Sequence, residues 1–210
     1  MPELFGREEI TEALQELAEL ARRAGKVINI AIYGGSCLIL ASNFRVTTAD
    51  VDAVAMTDQA FVDEAARTIA ARRGWSRDWL SDGVRTYLSP RVAAPEDHEL
   101  LRAYPSEATP GLRVFVPTAE YMLAMKLMAM RIDAASGRKD LDDILSLLDI
   151  VGIASKEEIV GFAAEFYPEA RVSGRLLLAI EQLWKDREKR ALERGDHEPP
   201  RYLGRGGPPG

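Results

Sequence analysis

Val27, Ile28, Asn29, Ile30, Ala31, Ile32 and Tyr33 form a short, β-branched apolar run that stops at Gly34-Gly35 and gives way to a second apolar segment opening with Ser36. A run of this length and composition reads as a buried strand, and residues 36–41 read as a short helix starting where the strand ends. This junction constrains the fold more than any other feature, because it demands a sheet with a helix leaving the end of one strand. It also aims free backbone N–H groups and the positive end of a helix at one spot, where glycine lets a phosphate come close. Ser36 adds a hydroxyl donor. Taken alone, Gly34-Gly35-Ser36 also fits a tight strand-to-helix turn.

The next strand is expected over residues 50–56, after a polar turn at residues 43–48. In a strand Asp50 and Asp52 point to one face while Val51 and Ala53 point to the other. Two carboxylates on one face repel each other unless a cation lies between them, and hard oxygen ligands of this kind suit Mg²⁺, with Mn²⁺ as the substitute. The plain alternative is an edge strand with two solvated aspartates. Thirteen residues separate Ser36 from Asp50, enough for a helix and a turn that return the second strand beside the first. The glycine turn and the carboxylate pair then face each other.

Elsewhere the pattern alternates helix and strand and then becomes helical. Ile10, Leu14, Leu17 and Leu20 make one stripe of a helix over residues 7–25, closed by glycine. A second helix fits residues 58–73, closed by Gly74. Residues 75–80 read as a short turn or helix, with Trp75 and Trp79 as core residues, and residues 84–88 as a third strand. The proline-bearing stretch 90–110 offers a helical turn near residues 97–103, and a fourth strand fits residues 112–116. Pro117-Thr118 then starts helices over residues 119–134, 139–151, 156–166 and 173–194. The expected architecture is α+β: a small mixed sheet flanked by helices over residues 1–118, a helical extension over 119–195, and a disordered Pro/Gly-rich tail over 196–210.

Composition narrows the class. The 210 residues carry a net charge of -6, which disfavours a sequence-reading DNA binder. The single cysteine, Cys37, leaves no internal disulfide and no cysteine cluster for zinc. No apolar run reaches the roughly 18 residues of a membrane span, and no secretory leader opens the sequence. A cytoplasmic protein without a membrane partner is expected. His98 and His197 lie in polar surroundings and receive no catalytic role.

Two later segments add to the first motif. The helix containing Tyr121, Met122, Leu123, Ala124, Met125, Leu127 and Met128 is apolar on every side except at Lys126, which must snorkel or meet an anion. In Arg138-Lys139-Asp140-Leu141-Asp142-Asp143, the acids Asp140 and Asp143 either favour a helix start or serve chemistry.

The strand ending in Gly34-Gly35-Ser36, the short helix and the Asp50-Val51-Asp52 strand together resemble the signature of the nucleotidyltransferase superfamily. With Lys126 and the Asp140/Asp143 segment, the likeness is to its AbiEii-type toxin branch and covers roughly residues 28–151. The resemblance implies a nucleotidyltransferase fold. It also implies an Mg²⁺-dependent transfer of NMP from an NTP to an acceptor hydroxyl on RNA or protein, as a toxin with a cognate antitoxin. In that reading Gly34, Gly35 and Ser36 hold phosphates, Asp50 and Asp52 hold the metal, and Lys126 offsets triphosphate charge. Asp140 or Asp143 orients the acceptor. One departure stands out: residues 84–88 and 112–116 lack the third carboxylate that polymerase-type members place on a neighbouring strand. A non-catalytic nucleotide-binding or interaction module, antitoxin-like and dimeric through its C-terminal helices, is the rival.

Overall fold

The computed structural model describes residues 4–92, 97–130, 137–168, 174–193 and 199–203. Helix α1 (Arg7–Arg23) buries Ile10, Leu14 and Leu17 together with Ala13, Ala18 and Ala21, and Gly25 leaves it with a positive φ. Strand β1 (Ile28–Tyr33) runs directly into α2 (Gly34–Ala41), so the helix starts two residues earlier than expected. Strand β2 (Val51–Ala55) follows, then α3 (Gln59–Arg73), which Asp58 caps by accepting from the Phe61 N–H. Two-residue β3 (Leu80–Ser81), β4 (His98–Tyr104) and β5 (Leu112–Pro117) complete the sheet. Helices α4 (Ala119–Ala129), α5 (Gly137–Val151), α6 (Lys156–Phe166) and α7 (Gly174–Glu193) follow.

The strand order is β3-β2-β1-β5-β4. β1 is antiparallel to β2 and parallel to β5, β3 is parallel to β2, and β4 is antiparallel to β5 across a register shift between Leu100 and Arg102. The architecture is therefore α+β, a five-stranded mixed sheet with helices packed on it. The period of two along β1 divides the core. Ile28, Ile30 and Ile32 join a large cluster that draws on every helix, while Ala31 and Tyr33 join a smaller one with Val54, Val84, Tyr121 and Met125. Among the described residues no helix is long and apolar enough to cross a membrane.

Three expectations need correction. Residues 84–88 are not a strand: Gly83–Tyr87 winds into a 3₁₀ helix, and Arg85 ties back to Asp82 and Gln59. Residues 97–103, expected as a helical turn, instead enter β4, whose edge position is a matter of tertiary pairing with β5. The expected disordered tail does not hold at residues 199–203, where Tyr202 is buried and bridges to Ser42. The end of the helix expected over 119–134 falls on residues 131–134, outside the described residues; α4 itself stops at Ala129. Trp79 is a core residue that donates from Nε1 to the Ala66 carbonyl, and it packs with Trp75 and Phe5.

Candidate functional site

β1 and β2 pair so that Tyr33 lies opposite Asp52. This register sets the first turn of α2 beside the start of β2, and the two border one cleft of about 490 Å³. Gly34, Gly35, Arg45, Thr48, Asp50 and Asp52 form one wall; Lys126 and Asp140 contribute from the helices; Val84, Tyr87, Met122, Met125 and Ala129 supply an apolar side.

The glycines are required by geometry. Gly34 has φ +60°, and a Cβ there would collide with Asp52 Oδ2. A Cβ on Gly35 would lie 2.7 Å from Thr48 Oγ1 and 2.9 Å from Arg45 Nη2. Their missing side chains let a carboxylate and a guanidinium approach the backbone at the head of α2. Ser36 does not join them. It is 1% exposed, donates its hydroxyl to the Tyr33 carbonyl at 2.9 Å, and lies outside the lining of the cleft.

Asp50 sits in the bend just before β2 and is exposed, whereas Asp52 is half-buried within the strand. Burial pushes the Asp52 carboxyl up to about 6, the charge of Asp50 adds to the rise, and the charge of Lys126 pulls part of it back. A cation would ease the ionisation of Asp52. Mg²⁺ needs only one or two carboxylates when phosphates and water complete its shell. Asp50 and Asp52 fit that requirement. Among the described residues no group of three His, Cys, Asp or Glu side chains is arranged to hold a metal ion.

Lys126 does not snorkel. Its ammonium donates to Asp140 Oδ1 at 2.6 Å and to Asp143 Oδ2 at 2.9 Å. Asp143 is itself ion-paired to Arg45 and only 4% exposed at its side chain. Asp140 and Asp143 therefore part company: Asp140 borders the cleft, while Asp143 lies beneath it as the shared anion of two cations. Helix α5 thus fixes Lys126 and Arg45 relative to each other across 81 residues of sequence.

Arg45 is the site residue that sequence reading missed. It stood in a stretch read as a polar turn, and its partner Asp143 lies 98 positions away. The adjacent Thr48 was equally silent. Strand β4 does bring a carboxylate, Glu99, next to β5, but it stands at the edge of the sheet away from β2 and outside the cleft. His98 is within 2.9 Å of the Tyr33 hydroxyl and stacks edge-on against Tyr33 and Tyr121, a packing role.

The arrangement combines three carboxylates, Asp50, Asp52 and Asp140, two cations, glycine backbone at a helix start and an apolar wall. It suits a ligand with phosphates at one end and a flat apolar body at the other. The chain matches no protein-family model, no curated protein and no solved structure.

Proposed function

We propose that the cleft binds a nucleoside triphosphate with Mg²⁺ and transfers its NMP to an acceptor hydroxyl, as a member of the nucleotidyltransferase superfamily. The observation that carries this reading is the convergence of Asp50 and Asp52 with the Gly34-Gly35 turn, Arg45 and Lys126 on one cleft. Bound Mg²⁺ would offset charge on the carboxylates and on the phosphates. Backbone N–H groups at Gly34 and Gly35, with Arg45 and Lys126, hold the phosphates, and Tyr87, Met122 and Met125 receive the base. The acceptor oxygen forms a bond to the α-phosphorus as the bond to pyrophosphate breaks, and the hydroxyl proton is lost to water; catalysis is then mainly positioning and electrostatics. Asp140, on the cleft, orients the acceptor hydroxyl, and Asp143 positions the two cations. RNA or protein as acceptor, and a toxin paired with an antitoxin, rest on the family likeness alone.

Calorimetry with each NTP and Mg²⁺, followed by label transfer from α-labelled NTP to total RNA and protein, tests the reading. Wild type is expected to bind and transfer, and Asp50→Asn to do neither. Intact binding and transfer in Asp50→Asn would sink the assignment.

One observation favours a second reading. Among the described residues no third carboxylate stands on the strands beside Asp50 and Asp52, and Asp140 and Asp143, either of which would have to supply it, are both engaged by Lys126. In that reading the protein binds a nucleotide without turnover, and calorimetry succeeds where label transfer fails with every acceptor.

A further inference from the structure

The connection between α2 and β2, residues 42–50, supplies Arg45, Thr48 and Asp50 to the cleft. Its own composition gives little reason for a single shape, and Val46 is 78% exposed. It is fastened at both ends by segments distant in sequence. Near β2, Phe5 and Thr48 exchange backbone hydrogen bonds of 2.8 and 3.0 Å. Near α2, Ser42 bridges to Tyr202 and the Leu203 N–H donates to the Ala41 carbonyl at 2.9 Å. The Asn43 side chain donates to the Pro199 carbonyl at 3.3 Å and accepts from the Arg201 N–H at 2.8 Å.

Tyr202 anchors this second fastening. It is 1% exposed, and its hydroxyl donates to the Pro117 carbonyl at 2.8 Å while standing 3.2 Å from Cys37 Sγ. Pro117 ends β5 and Cys37 belongs to the first turns of α2, so one phenol ties the sheet to the helix that starts at Gly34. Burial pushes the Cys37 thiol up to about 12, which leaves it a neutral packing partner.

We propose that residues 199–203 are a strap that holds the Arg45 loop in its anion-binding position, with Tyr202 and Asn43 as positioning residues for the nucleotide. The ligand named here rests on the nucleotide reading of the cleft; the strap's hold on the loop does not. Without the strap the loop samples open shapes, and apparent affinity falls by the fraction of molecules that remain competent.

Two full-length variants, Tyr202→Phe and Asn43→Ala, test this. The first keeps the ring and removes the hydroxyl; the second removes two hydrogen bonds at an exposed side chain and leaves the core filled. Amide hydrogen exchange without nucleotide should quicken about tenfold or more at residues 42–49 in each variant, with β1 protected as in wild type. The apparent Kd for whichever of Mg-ATP, Mg-GTP, Mg-CTP or Mg-UTP wild type binds should rise about tenfold. Wild-type protection of residues 42–49 in both variants, with β1 intact, overturns the strap. If Tyr202→Phe loses the fold, β1 exchange reports it and Asn43→Ala decides. If wild type binds none of the four nucleotides, the nucleotide reading fails, and loop exchange still decides the strap.

Discussion

Gly34 and Gly35 are adjacent and identical in chemistry, yet they answer to different constraints. Alanine at Gly34 meets both a left-handed backbone and the Asp52 carboxylate, so Gly34→Ala should cost about 2 kcal/mol or more in urea unfolding. Gly35 has no such backbone demand. Its alanine pushes on Arg45 and Thr48, so Gly35→Ala should weaken NTP binding in calorimetry while lowering stability by less than Gly34→Ala. Asp52 adds a pH signature. Its folded-state carboxyl is raised to about 6, above the unfolded value of about 4. Its contribution to stability is thus whole below about pH 4 and lost as pH rises through about 6. Asp52→Asn avoids that loss. In EDTA its stability should match wild type near pH 4 and exceed it by roughly 2–3 kcal/mol at pH 8, measured by urea unfolding. Equal stability at pH 8 would contradict the assigned cause.

At the scale of elements, α5 is what organises the cations. Asp143 is buried between Arg45 and Lys126, whereas Asp140 is 40% exposed and pairs with Lys126. Removing the buried anion takes from Arg45 its acidic partner and leaves Lys126 to the more exposed Asp140, so Asp143→Asn should cost about 3 kcal/mol or more, while Asp140→Asn should cost about 1 kcal/mol or less. Thermal and urea unfolding of the pair checks the contrast. Elements that carry their own signal were readable from sequence. β1 announces itself by β-branched residues bounded by glycines, and α1 by its stripe of Ile10, Leu14 and Leu17. The segment at Gly83–Tyr87 was not readable, because Val-Arg-Thr-Tyr-Leu alternates as a strand does, while its helical shape goes with ties of Arg85 to Asp82 and Gln59 and of the Tyr87 carbonyl to the distant Tyr167 hydroxyl. β4 was hidden for the opposite reason: His-Glu-Leu-Leu-Arg-Ala-Tyr has no alternation, and pairing with β5 makes it a strand. For the site, the glycines and Asp52 were legible as local pattern, Lys126 as an anomaly in an apolar helix, and Arg45 not at all, since its meaning depends on a distant acid.

Across the whole molecule, one apolar cluster runs from Phe5 to Tyr202 and includes residues of all seven α-helices. Helix α4 is the seam: Met122, Leu123 and Leu127 meet that cluster, and Tyr121 and Met125 meet the smaller one beside β1. A fragment ending at residue 118 would therefore lose the cover of its own sheet. Expressed alone, residues 1–118 should keep far-UV signal, bind ANS and melt without a cooperative transition; a cooperative melt would show that the sheet layer stands by itself. The fastening of residues 42–50 by Phe5 at one end and Tyr202 at the other carries a consequence for biosynthesis. A ribosome makes Gly34, Asp50, Asp52 and the Phe5 fastening early, but the contacts of Ser42 and Asn43 with residues 199–203 wait until that segment emerges. If residues 199–203 hold the loop as proposed, a nascent chain would display Gly34, Asp50 and Asp52 before the Arg45 loop beside them is fastened at its α2 end.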